Sequence, residues 1–142
     1  MNKQRLFILA AAVVGIVASF LPWITLPIGS ISGIKGDGWL TLILFLVPTI
    51  ISVLGNRNGR LSRTNLYIAM GPALLAGLMG LYKIIDFNTS LPSGDNPFAL
   101  GIRSAMSIGI GLYLVVAAGL AVPAIGLFVK ETPKVSPEES SN

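Results

Sequence analysis

The chain contains no cysteine and no histidine. These two absences exclude disulfides, thiol redox chemistry, lipid attachment through cysteine and zinc sites of the usual ligand set. They also exclude Ser–His and Cys–His nucleophile pairs. Charge is scarce too: 11% of the 142 residues are charged, against about 25% in an ordinary soluble domain. Charged side chains are missing altogether from Leu6–Ile34, Gly38–Asn56, Thr64–Tyr82 and Ser104–Val129. Proton- or ion-coupled transporters keep an ionisable group within the membrane. Small multidrug transporters, which also have four short helices, rely on a glutamate in the first, and no acid lies there in this chain.

What is present is apolar length. Hydrophobic residues make up 53% of the chain. A helix rises about 1.5 Å per residue, so about 20 apolar residues cross a hydrocarbon layer of about 30 Å. The four uncharged runs predict an all-α membrane protein, a four-transmembrane-helix antiparallel bundle with spans near 6–26, 39–54, 66–85 and 104–129. Residues 1–129 form one transmembrane domain in this reading. The tail 130–142, with its prolines, charges and serines, reads as disordered. Met1–Arg5 followed by Leu6–Phe20 also has the outline of a signal peptide, with a tolerable cleavage site at Val17-Ala18-Ser19. The apolar run continues through Leu21, Trp23, Ile24 and Leu26 without a polar break, which favours an uncleaved first span.

The placement of the cations gives an orientation. Lys3, Arg5, Arg57, Arg60, Arg63, Lys130 and Lys134 fall at the chain ends or between the second and third spans; only Lys35, Lys83 and Arg103 fall at the other joints. Such asymmetry predicts cytoplasmic termini and a cytoplasmic middle joint. The net charge of +4 is thereby explained as membrane topology, and nucleic acid is not an expected partner. The expected partners are the lipid bilayer and another membrane protein or a second copy; no cofactor is expected.

The spans differ in what they offer one another. Ala11, Gly15 and Ser19 recur every four residues in the first, and Ala69, Ala73 and Gly77 do so in the third, with Ala76 and Gly80 beside them. Gly111, Gly119, Ala117 and Ala121 play the same part in the fourth. Small residues let helix backbones approach closely in lipid. The second span is bulky from Leu40 to Val47, which predicts a helix facing lipid or a partner, Leu42, Phe45 and Leu46 included.

Local signals mark the ends. Asp37 stands where the second helix needs an N-cap, Gly55-Asn56 is a stop signal, and Asn96-Pro97 reads as N-cap and first helical residue. The fourth helix is expected to start near Pro97 and run on through the last span.

Several residue groups invite a functional reading. Trp23 and Trp39 suit the outer interface as anchors; alternatively Leu21-Pro22-Trp23 and Gly36-Asp37-Gly38-Trp39 form one recognition cap. Asp37, Asp86 and Asp95 are the only acids before the tail and suit a helix cap, a partner for Lys83 and a turn. Arg57, Arg60 and Arg63 repeat every three residues. On a helix they would share a face able to hold anionic lipid headgroups or an acidic partner; otherwise they serve topology alone. Pro48, Pro72 and Pro123 lie at similar depths in their spans and are either tolerated prolines or a set of kinks.

With its Leu21-Pro22-Trp23, Gly36-Asp37-Gly38-Trp39 and Gly109-Ile110-Gly111-Leu112-Tyr113-Leu114, the chain resembles a loose group of small bacterial four-span membrane proteins of unknown function. The resemblance implies the bundle and a multi-pass place in the bacterial inner membrane, and it implies no activity. The Pro-Trp is faintly similar to that of claudin-like tetraspans, whose long first loop with a cysteine pair is missing here. The expected function is non-catalytic: an accessory, assembly or scaffold protein that binds other membrane proteins. The alternative is a small oligomeric pore or uncoupled transporter.

Overall fold

The computed structural model describes residues 1–129; the tail 130–142, whose disorder the composition predicts, lies outside the described residues. Five helices and a small sheet follow in the order α1 (Lys3–Phe20), β1 (Pro22–Leu26), β2 (Gly29–Ser32), a single 3-10 turn (Gly33–Lys35), α2 (Gly38–Val53), α3 (Arg63–Ser90), α4 (Pro97–Ala105), β3 (Ser107–Ile108) and α5 (Ile110–Phe128). Helices α1, α3 and α5 are long and apolar enough to cross a membrane, while α2 is apolar but only 16 residues long.

The four longer helices close a ring in which α1 packs on α2 and α5, and α3 packs on α2 and α5. Neighbours are antiparallel. Arg5 near the start of α1 reaches Leu54 just past the end of α2, while Ser19 near the end of α1 meets Thr41 in the first turn of α2. Gly126 near the end of α5 lies against Leu66 and Met70 early in α3.

Small residues set the spacing of the ring. Gly77 of α3 and Gly119 of α5 stand face to face, so that a Cβ on Gly119 would lie 2.5 Å from the Gly77 backbone. Ala69, Ala73 and Ala76 are buried beside them. Ile8, Phe45, Val115 and Val122 fill the interior. Outside, Phe7, Val14, Leu46, Leu75, Leu120 and Leu127 are exposed, an apolar exterior suited to lipid rather than to water.

Three expectations are corrected. The first helix does not run to Leu26: it stops at Phe20, and Pro22–Leu26 becomes the central strand of a three-stranded antiparallel sheet of order β2-β1-β3. Pro22 disfavours helical geometry at Leu21, whose backbone is extended at φ −72°, ψ 162°. Ile24 pairs with both Ile31 and Ile108, and Thr25 with both Ser30 and Ser107. The helix opened by Asn96-Pro97 ends at Ala105, and its continuation is a separate helix, α5. Between them β3 pairs with β1, and the Gly109 amide donates to Trp23 O at 2.7 Å. Finally, Phe45 does not face outward. It is fully buried beside Thr41, Pro48 and Ser52 on the inner face of α2.

Candidate functional site

At the sheet end, Trp23 is buried, and its indole Nε1 donates to Ala18 O at 3.1 Å. Its ring covers Gly33, where any side chain would collide with it, and Gly33 in turn abuts Gly38. Trp39, two residues past Asp37, is 51% exposed. The two tryptophans therefore belong to the same end but to different environments: Trp23 is a core residue, and only Trp39 keeps the surface position expected of an anchor. Asp37 is the N-cap residue of α2 without a side-chain capping bond. Its carboxylate instead pairs with Lys83 of α3, the partner expected to be Asp86. Asp86 and Asp95 are exposed. Beneath the sheet, Ser19 Oγ and Thr41 Oγ1 lie 2.9 Å apart, both buried. Each also lies within bonding distance of a carbonyl of its own helix, Gly15 O and Gly38 O respectively; with one proton per hydroxyl, one donates to its carbonyl while the other donates either to its own carbonyl or across the pair.

The opposite, basic end holds the more unusual arrangement. Arg5 is 4% exposed. Its Nε donates to Gly59 O at 2.8 Å and its Nη1 to Leu54 O at 2.7 Å, with longer bonds to Ser52 O and Ile51 O. These last carbonyls of α2 have no helical donors of their own and carry the negative end of the helix dipole. A guanidinium with its fan of N–H groups satisfies several at once. Gly55, at φ +79°, supplies the left-handed turn that ends α2. Beside Arg5, the Gln4 side-chain amide donates to Gly126 O at 3.2 Å, and the backbone N–H of Asn2 to Arg57 O at 2.8 Å. The start of α1 thus ties together the ends of α2 and α5 and the joint between α2 and α3.

Arg57, Arg60 and Arg63 do not share a helical face, because the joint is irregular and α3 begins only at Arg63. Arg57 donates to Val53 O at 3.3 Å, and Arg60 to Val129 O at 3.2 Å. Two open clefts flank Arg60. One, about 360 Å³, is lined by Arg5, Ile51, Leu54, Asn56, Arg60 and Asn65 among others. The second, about 300 Å³, is lined by Arg60, Leu61, Arg63, Leu66, Tyr67 and Leu127. Among the described residues no carboxylate pairs with any of these arginines.

The three prolines sit inside helices that continue through them. Pro48 is fully buried, whereas Pro72 and Pro123 are half-buried.

No protein-family model matches the chain, nor does any curated protein or solved structure.

Arg5 is the residue that charge counting misses, because it looks like one more topology charge. A signal was present: Arg5, Ile8, Ala12, Gly15 and Ser19 follow alternating spacings of three and four residues and are all buried. Arg5 is in phase with the inward face of its helix.

Proposed function

We propose that this chain is a multi-pass membrane protein of four spans, with both termini and the α2–α3 joint cytoplasmic. In this reading it serves as a non-catalytic accessory or assembly subunit for another membrane protein or for its own copies. The observation that carries the reading is the occupied interior: Ile8, Phe45, Val115 and Val122 are fully buried inside the ring, and Gly77 and Gly119 bring α3 and α5 into backbone contact. A single copy so packed offers its outer surface rather than an internal path. A pore would have to run between copies.

Helix α2 is the favoured recognition element. At about 1.5 Å per residue its 16 residues span about 24 Å, short for a layer of about 30 Å. It crosses in the company of its neighbours, with Thr41, Phe45, Pro48 and Ser52 turned inward. Trp39, Ile43, Leu46, Ile50 and Val53 lie exposed along its other side, again at alternating spacings of four and three. That stripe is the pattern by which one helix seats knobs between the side chains of another. Association within lipid then rests on shape and dispersion.

The test is complementation of a deletion strain, with co-purification of the bound protein. Alanine at Asp37, Asp86 and Asp95 together leaves activity and capture largely intact, whereas Ile43→Ala with Leu46→Ala reduces both at unchanged abundance. Loss of activity in the triple-alanine variant, with normal folding, would instead indicate a carboxylate-based site.

A further inference from the structure

The cleft between the end of α2 and the start of α3 has the make-up of an anion site. We propose that it binds the phosphate of an anionic phospholipid from the cytoplasmic leaflet. The inference rests on the membrane reading above but not on partner binding.

Four observations support it. First, its floor is cationic and held in place. Arg5 is fixed by its bonds to Leu54 O and Gly59 O, which use Nε and Nη1. Its Nη2 makes no hydrogen bond among the described residues, and Arg5 lines the cleft. Second, Arg60 lines the same cleft, tethered by its bond to Val129 O. Both arginines line this one space, and no carboxylate pairs with either among the described residues; the α2 carbonyls around Arg5 offset part of its charge, and the pair stays net positive. A phosphate oxygen set matches guanidinium geometry well.

Third, Asn56, Ser62 and Asn65 complete a polar lining able to hydrogen-bond the ester oxygens. Fourth, the remaining wall is apolar: Ile51 and Leu54 line the cleft, and Leu54 is 63% exposed. Leu54 lies just beyond the outward stripe that includes Ile50 and Val53. A free phosphate has no use for that wall, whereas a lipid can seat its phosphate on the arginines and run an acyl chain along α2. The volume of about 360 Å³ is roughly twelve times the liquid volume of a water molecule, about 30 Å³. That accommodates a phosphate with its glycerol carbons.

The experiment is native mass spectrometry of the full chain in mild detergent, titrated separately with phosphatidylglycerol, phosphatidylcholine and inorganic phosphate. We expect one phosphatidylglycerol retained per chain, at least about tenfold more tightly than phosphatidylcholine. Inorganic phosphate at millimolar concentration should fail to displace it. The exposed pair Arg60→Gln with Asn65→Leu should weaken phosphatidylglycerol about tenfold, the scale of one charge-assisted contact. Arg103→Gln, on α4 away from the cleft, should not change it. Equal retention of the two lipids, or equal weakening by Arg103→Gln, would overturn the proposal. Displacement by inorganic phosphate would overturn the lipid as its source. A chain that stays monomeric without detergent would remove the membrane reading itself, a result distinct from these.

Discussion

The ring of Phe45 lies directly over Gly15, so close that a Cβ at Gly15 would stand 2.6 Å from three of its atoms. This contact joins α1 to α2 at the centre of the helix ring and turns the bulkiest inward residue of α2 into a core residue. Gly15→Val should therefore lower the thermal midpoint in detergent, at an overpacking cost of about 1–3 kcal/mol. Phe45→Leu placed on top should restore part of it. Thermal unfolding of the two single variants and the double variant checks this; additive losses would mean that the two residues are not in contact.

The pairing of Gly77 with Gly119 makes an asymmetric prediction. A methyl at Gly119 would meet the Gly77 backbone at 2.5 Å, whereas one at Gly77 meets the Gly119 backbone at 3.2 Å. Backbone cannot rotate away as a side chain can, so Gly119→Ala should destabilise more than Gly77→Ala. Gly71→Ala, with open space around it, should be neutral or stabilising by up to about 1 kcal/mol through helix propensity. Melting curves of the three variants give the order.

Arg5 predicts a third outcome. Its bonds close the end of α2 and hold Gly59 of the joint. Arg5→Lys keeps the charge but loses the fan of donors. With hydrogen bonds to charged groups worth about 1.5–3 kcal/mol, the loss should exceed that of Lys3→Gln, whose side chain is exposed. The same thermal assay, read beside protease sensitivity of the joint, tests it. Equal stability of the two variants would contradict the capping role.

Orientation is tested by labelling. A cysteine introduced at Ser62 should react only from the cytoplasmic side, and one at Ser93 only from outside, as the cation asymmetry requires. The chain's lack of cysteine makes it a clean background. Reversed labelling would overturn the orientation and, with it, the leaflet assigned to the cleft.

Much of the helical frame could be read from residue spacing. Gly15, Ala73, Gly77 and Gly119, chosen as small residues at helical intervals, are all buried, because in lipid only small residues allow such approach. Gly55 and Asn96 mark helix ends as their chemistry demands. The strand Pro22–Leu26 was hidden because an apolar run carries no period that separates strand from helix. The cue was Pro22, followed by β-branched Ile24 and Thr25. The break before α5 depends on a partner distant in sequence: Gly109 fits only because it presses on Pro22. Bulk alone places Phe45 outward, against its full burial. Thr41 and Ser52, polar and on the same face, identified the inner side of α2 better than residue size did. At the basic end, arginine spacing suggested a helical face, but which carbonyls each arginine would reach depended on how the helix ends came together.

The central claim, that this chain works by presenting the outer face of α2 to another membrane protein or to a second copy, is tested most directly by photo-crosslinking in intact membranes. A diazirine side chain is placed in turn at Leu46, Ile50, Leu75 and Leu120, all exposed. The account predicts one discrete protein adduct, to a partner or a second copy, from Leu46 and Ile50, and lipid adducts alone from Leu75 on α3 and Leu120 on α5. Lipid adducts alone from all four positions would contradict it.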